Sequence, residues 1–253
     1  MMARRYSCNA CRQLTPIKLL AAQHVTKTDM SFRDRSDAGQ RLAAALLKYR
    51  GQPVTILALP RGGVPVAAKA AEALDAPLDL ILVRKVGVPF QPELAMGAVV
   101  DGPKPVVVRN EDIISQTRIS DEEFKAVCDR ELVEIERRRK TYLAGREPAP
   151  VTGRVAIVID DGIATGATMR AALQATRMRK PRRLILAVPV APTSTLQDLR
   201  EDADEIICLE EYADFGAIGL YYADFRQTND REVIALLARH PARLSDQDVS
   251  VQS

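Results

Sequence analysis

From Ser31 onward, short runs of branched aliphatic residues alternate with Ala- and Leu-rich stretches of helical length. That alternation is the pattern of βαβ units built on a parallel sheet. The runs are Val54–Leu59, Leu78–Val83, Pro105–Val108, Val155–Ile159, Leu184–Val188 and Ile206–Leu209. Most are apolar throughout, which calls for burial on both faces. The helices predicted around them are Ala38–Lys48, Val64–Leu74, Asp121–Tyr142, Ala167–Met178, Thr195–Glu201 and Asp230–Arg239. The expected fold class is therefore α/β, an open and mostly parallel sheet flanked by helices. Aromatics make up only 4% of the chain and Trp is absent, so the core must be built from Val, Ile, Leu and Ala, which argues against a β-sandwich.

One domain, 30–240, is the simplest partition, because strands of one kind lie on both sides of the Pro-containing connector Gly145–Gly153. Residues 1–29 read differently. Arg4, Arg5, Arg12, Lys18 and Lys27 face a single acid, Asp29, with no helical or strand period, the pattern of a basic, poorly ordered extension. It lacks the apolar core of a secretory signal, and a start at Met30 would account for it. Residues 241–253 read as a C-terminal tail.

The 36 Lys+Arg against 33 Asp+Glu leave a net charge of only +3, unlike the one-signed field of a nucleic-acid or membrane-surface binder. No apolar run approaches the roughly 20 residues that span a bilayer. Neither nucleic acid nor a membrane is expected as a partner. Cys8, Cys11, Cys128 and Cys208 are too few and scattered for a disulfide framework, which points to the reducing cytoplasm. Cys8 and Cys11 have only His24 near them as a further zinc ligand, so they read as an incidental pair. His24 and His240 are the only histidines, both outside the part that reads as folded, and histidine catalysis is not expected.

The richest segment is Val155–Thr168. A buried strand ends in Asp160 and Asp161, and a loop of Gly162, Ile163, Ala164, Thr165 and Gly166 then leads through Ala167 and Thr168 into a helix. Backbone N–H groups at such a loop and helix N-terminus cradle a phosphate, and the Thr165 and Thr168 hydroxyls add donors. The two carboxylates cannot bind that phosphate, since like charges repel. They fit a sugar diol or a Mg2+ ion held near it, at the strand end where open α/β sheets bind ligands. Phosphate plus diol describes a ribose 5-phosphate. No Lys-Ser/Thr follows the last glycine, so the segment is not a P-loop, nor is it a dinucleotide fingerprint. A bare Asp-Asp pair would as readily cap a turn; the specific signal is the whole segment.

Val155–Thr168 resembles the PRPP-binding signature of type I phosphoribosyltransferases, and the chain is similar to the phosphoribosyltransferase-like proteins of bacteria. The resemblance implies the type I fold with a small hood after the core sheet. It also implies a Mg2+-dependent, commonly dimeric enzyme that transfers the ribose 5-phosphate of PRPP to a nitrogenous acceptor, a nucleobase by preference, with release of pyrophosphate. Gly162, Ile163, Ala164, Thr165, Gly166, Ala167 and Thr168 would hold the 5-phosphate. Asp160 and Asp161 would take the ribose hydroxyls, serve as the catalytic acids and ligate Mg2+. Arg61, Gly62 and Gly63, in the strand-turn-helix Leu57–Ala67, match the turn that binds pyrophosphate through exposed amides and a strained peptide in this family. Only glycine lets a backbone approach an anion so closely. Arg84 and Lys85 are similar to an Arg-Lys pair of the adenine and orotate members that contacts the anionic side of PRPP. Val88–Gly97, with two prolines and no period, reads as a mobile loop that would close over the site and exclude water, and Glu93 on it is an acid/base candidate.

Tyr212, Phe215, Tyr221, Tyr222 and Phe225 are five of the chain's eleven aromatics, gathered in fourteen residues. They are either a satellite core or, at the hood position, a surface on which a base stacks. Hypoxanthine-guanine and xanthine members carry Asp where this chain has Ala164, which argues against a 6-oxopurine acceptor. The alternative within the same fold is a non-catalytic PRPP- or nucleotide-binding regulator. A DNA-binding version should show a helix-turn-helix or a basic face. The short patch Arg177, Arg179, Lys180, Arg182 and Arg183 lies instead at a helix end, where cations suit the macrodipole. Catalysis therefore ranks above regulation, and a PRPP-synthase-like role would need an ATP site that the sequence does not offer.

Overall fold

The computed structural model describes residues 31–102 and 105–241. The basic extension 1–29 with Cys8, Cys11 and His24 lies outside the described residues, as do residues 242–253 of the C-terminal tail. In chain order the elements are α1 (Arg35–Leu46), β1 (Val54–Ala58), α2 (Gly63–Leu74), β2 (Leu78–Leu80), β3 (Val83–Val88), β4 (Gln91–Val100), β5 (Val106–Arg109), α3 (Glu111–Thr117) and α4 (Asp121–Leu143). Then follow β6 (Val155–Ile159), α5 (Ala167–Met178), β7 (Arg183–Pro192), α6 (Thr193–Asp198), β8 (Glu205–Tyr212) and α7 (Asp230–Arg239).

Five strands form a parallel sheet in the order β2-β1-β6-β7-β8. The burial of β1 and β6 shows why their sequences do not alternate. Val54, Ile56, Ala58, Val155, Ile157 and Ile159 enter one core with Leu42 of α1, Val66 and Leu74 of α2 and Leu237 of α7. Leu57, Ala156 and Val158 enter a second core with Ala172 and Leu173 of α5. Each large aliphatic side chain buried this way contributes about 1.5–3 kcal/mol, so helices on both faces hold the central strands. Ser120 and Glu123 form a capping box at the start of α4, and Asn229 and Glu232 another at α7. On the solvated face of α4, Arg137 and Arg138 lie 2.7 and 2.9 Å from the Glu134 carboxylate, and their hydrogen bonds hold its pKa down to about 2.

Several segments differ from the sequence reading. The run Leu78–Val83 is not one strand. β2 stops at Leu80, and buried Ile81 and Leu82 carry the chain into a second, antiparallel sheet of order β3-β4-β5. An apolar crossing between two layers looks like a strand because it is just as buried. The run Pro105–Val108 belongs to this small sheet as β5, whose residues alternate half-buried and exposed. The stretch Val88–Gly97, read as a loop, is a hairpin: β3 turns at Pro89-Phe90 into β4. Its two prolines do leave a mark, because the β3–β4 register shifts around Gly87 and Val88, opposite Pro92. The helix α3, capped by the Asn110 side chain accepting from the Ile113 amide, was not anticipated. His240, placed outside the folded part by sequence, caps α7 and is half-buried.

The Gly145–Gly153 connector is fastened rather than free. Arg146 donates to the Leu237 carbonyl at 2.7 Å, the Leu78 carbonyl at 2.5 Å and the His240 carbonyl, while buried Asp79 accepts from the Ala149 amide at 2.8 Å. One guanidinium thus ties the connector to β2 and α7. Arg146→Ala should strand these carbonyls and cost about 3 kcal/mol, lowering the thermal midpoint by roughly 6–12 °C for a domain of this size, as read by calorimetry.

Candidate active site

In the order β2-β1-β6-β7-β8 the chain leaves β1 toward one edge and later runs from β6 toward the other. The gap between β1 and β6 is therefore a topological switch point, where the turns after neighbouring strands diverge and leave a crevice at the carboxyl ends. The two strands are in register to their last residues, Ala58 opposite Ile159, and the Leu59 amide continues the ladder by donating to the Ile159 carbonyl at 3.0 Å. The turn Arg61–Gly63 and the acid pair Asp160-Asp161 consequently share one site. A Cβ added to Gly63 would lie 2.8 Å from the Asp160 Cα and the Ile159 carbonyl oxygen, and one added to Gly62 would collide with the Asp161 carboxylate. Main-chain atoms require glycine at position 63, and at position 62 a side chain would have to displace the Asp161 carboxylate. The Pro60–Arg61 peptide is cis, and the Arg61 guanidinium lies 3.5 Å from Asp230 of α7.

The two acids have different surroundings. Asp161 is 8% exposed; its carboxylate accepts from the Arg35 Nε at 2.7 Å, and its carbonyl accepts from the Tyr222 hydroxyl at 2.5 Å. Asp160 is half-buried, and its carboxylate accepts from the Asp161 amide at 2.9 Å. Burial, and next the charge of Asp161, push the Asp160 carboxyl well above the usual carboxylate range.

The loop that follows is anchored below and open above. Ile163 is buried and its amide donates to the Val190 carbonyl at 3.0 Å, while the Thr195 hydroxyl holds the Ala164 carbonyl at 2.8 Å. Gly166, at φ 77°, turns the chain into α5 in a conformation that a side chain would strain. Ala164, Thr165, Ala167 and Thr168 are exposed, so the first turn of α5 presents its unpaired N–H groups outward. A cavity of about 460 Å³, lined among others by Ala167, Arg170, Gln174, Gly97 and Arg109, flanks this turn.

The remaining sequence candidates lie on the small sheet. Arg84 and Lys85 are within β3 rather than beyond its end. Arg84 donates to Glu131 of α4 at 2.7 Å, and Lys85 lies 3.0 Å from Glu93. Glu93 is on β4 with its side chain 95% exposed. The aromatic group is mostly self-satisfied: Tyr221 stacks on Tyr212 and Phe215 at 4.6 and 4.9 Å, and Tyr222 packs on Phe225 and Phe32 at 5.0 and 5.4 Å. It is a satellite core whose inner edge reaches the acids through Tyr222 and through Phe225, over which Arg35 lies at 3.9 Å. Arg35 and Phe32 escaped the sequence reading. In the run Ser31–Ser36 nothing local sets them apart, because Asp161 and Tyr222 are supplied from far along the chain.

An open α/β sheet with two glycine-bearing turns around an acid pair, beside an open helix N-terminus, is the arrangement in which α/β proteins of this class bind ligands at the strand carboxyl ends. The chain belongs to the phosphoribosyl transferase domain family, whose model matches residues 33–226. Two Mycobacterium tuberculosis proteins whose names place them provisionally among the phosphoribosyl transferases, MT0597 of strain CDC 1551 / Oshkosh and Rv0571c of strain ATCC 25618 / H37Rv, are each 47% identical to it over 208 residues. The match takes in 82% of this chain and 46% of theirs, so the chain spans about half the length of these relatives. Among solved structures, TT1426 from Thermus thermophilus is similar at a TM-score of 0.72 and 40% identity, over 84% of this chain and 100% of that one. Among the described residues no helix is long and apolar enough to cross a membrane.

Gly63→Ala tests the packing of the two turns. The added Cβ meets main-chain atoms that cannot swing aside, so the variant should lose about 1–3 kcal/mol of stability in urea unfolding.

Proposed function

We propose that this domain transfers the ribose 5-phosphate of PRPP to a nitrogenous acceptor and releases pyrophosphate. The observation that carries the reading is the meeting of both glycine turns and the acid pair at one switch point, next to the open first turn of α5. In this reading the 5-phosphate rests on the amides and hydroxyls of Gly162–Thr168. Asp160 accepts from the ribose hydroxyls, with Asp161 behind it, and the pyrophosphate lies against Arg61–Gly63. Arg84 and Lys85 turn from Glu131 and Glu93 toward that pyrophosphate. Such partly exposed pairs are worth only about 0–1 kcal/mol, so a multiply charged anion competes for them easily.

The acceptor nitrogen forms a bond to C1 as the C1–O bond breaks, and the bonding pair leaves with pyrophosphate. The sugar carries positive charge at that moment, and that charge draws Asp160 into its ionised form, whose carboxylate then stabilises it. Glu93, on the hairpin, takes the proton that the acceptor nitrogen sheds. Asp160 offers the hard oxygen that Mg2+ accepts. Among the described residues no group of three His, Cys, Asp or Glu side chains could hold a metal, so the ion would share its ligands with the substrate. When bound, it neutralises the leaving pyrophosphate. Ala164 supplies no carboxylate beside the acceptor, which favours an acceptor other than a 6-oxopurine. The reading places the protein in the cytoplasm, in keeping with the free thiols of Cys128 and Cys208, and expects a homodimer by resemblance to its family.

The test is pyrophosphate release from PRPP and Mg2+ across a panel of nucleobases and small amines. At least one acceptor should support turnover, and Asp160→Asn should reduce it by at least about 100-fold with an unchanged circular dichroism spectrum. PRPP binding without release for any acceptor would favour the regulator, and absence of binding would overturn both readings. Thr165→Val and Thr168→Val each remove a donor to a charged phosphate and should raise the KM for PRPP by about 10-fold.

A further inference from the structure

A sequence that ends a strand in two adjacent carboxylates treats them alike, and the structure does not. Arg35 enters from the first turn of α1, 126 positions away from Asp161. The ion pair is 2.7 Å long and both side chains are only 11% exposed. The guanidinium is held on two further sides: it donates to the Arg226 carbonyl at 2.7 Å and lies over the Phe225 ring, 3.9 Å from its centroid. Asp161 is held on its own side by the Tyr222 hydroxyl and by Gly62, which leaves no room for a side chain against its carboxylate. A buried charge held in this way is not available to a ligand without first losing its partner, which costs several kcal/mol. Asp160 accepts from the Asp161 amide and lies beside the Asp161 carboxyl, and the Arg35 charge reaches it only through space: among the described residues no cation forms an ion pair with it.

We propose that Arg35 gives the two acids separate roles, holding Asp161 as an internal counter-charge and leaving Asp160 as the carboxylate that meets the ribose diol. Arg35 is then a positioning residue, acting through Asp161. The same contacts couple the site to the aromatic cluster after β8, because Tyr222, Phe225 and Arg226 all lie in that segment. The shape of a guanidinium is required, since a lysine ammonium cannot pair with the carboxylate, donate to the Arg226 carbonyl and stack on Phe225 at once. Without Arg35, the Asp161 charge would be left uncompensated against Asp160 and would disfavour a second anion there.

This inference rests on the phosphoribosyl reading, and one calorimetric experiment separates the two. Binding of Mg2+ and PRPP is titrated into the wild-type chain and into Asp160→Asn, Asp161→Asn, Arg35→Gln, Arg35→Lys and Arg35→Gln/Asp161→Asn, with urea unfolding of each as the check on folding. The expected dissociation constants rise at least 100-fold for Asp160→Asn, less than 10-fold for Asp161→Asn and at least 10-fold for Arg35→Gln, with Arg35→Lys between Arg35→Gln and wild type. The double variant should bind better than Arg35→Gln, because removing the Asp161 charge removes the need for its partner. A residue that served folding alone would lower stability in urea and leave the affinity of the folded protein within twofold of wild type. Equal losses for the two Asp variants, strictly additive losses in the double variant, or an Arg35→Gln affinity within twofold of wild type would overturn the proposal. A wild-type chain that does not bind PRPP would overturn the phosphoribosyl reading and this inference with it.

Discussion

The parallel pairing of β1 with β6 is the constraint on which the rest of the site depends. Both strands are buried on both faces, so their register cannot slip without moving a whole set of side chains into the wrong core. The register brings Ala58 level with Ile159, and the next few residues of each strand must then share one small volume. Gly62 and Gly63 are the means of sharing it, since the backbone of one turn rests directly on the acids of the other. The site is in this sense a consequence of the sheet: two loops that diverge after adjacent strands leave a crevice, and the chemistry is placed on its rim.

Charge distribution follows from the same crowding. An acid brought under a neighbouring turn must be paired or lose its charge. Asp161 is paired with Arg35, while the Asp160 carboxyl is pushed up by burial and by Asp161. Further out the pairs are more exposed and water screens them: Arg84 with Glu131, Lys85 with Glu93 and Arg61 with Asp230. The nearly balanced composition of the chain thus becomes a structural fact, because its bases near the site already have carboxylates beside them. The aromatic group after β8 has a similar double character. It closes its own small core around Phe32 and Tyr222, and the hydroxyl of Tyr222 and the ring of Phe225 extend from that core to the acid pair.

Much of this was legible from the order of residues. Val54–Leu59 and Val155–Ile159 announce buried parallel strands because both faces of each are covered. The step from Ile159 through the two acids and two glycines into α5 is local chemistry, visible wherever it is read. The Leu78–Val83 run misled because burial alone does not distinguish a strand from a crossing between layers. Val88–Gly97 misled because Pro89 and Pro92 hide a hairpin: one proline sits in its turn, and the other opposite a register shift that absorbs it. Arg84 and Lys85 read as bases leaving a strand, whereas both lie within β3, directed at acids of α4 and β4.

By itself the sequence determined the α/β class, the central strands, the small-residue loop leading into α5, and the presence of two carboxylates and two glycines at a strand end. These are properties of neighbouring residues, and neighbours along the chain carry their own geometry. Only the tertiary structure decided that the Arg61–Gly63 turn lies on those carboxylates, that Arg35 is the partner of Asp161, and that the aromatics face one another more than they face the site. Each of these joins segments separated by tens to more than a hundred residues. No local preference encodes such a meeting; it follows from which strand lies beside which in the sheet.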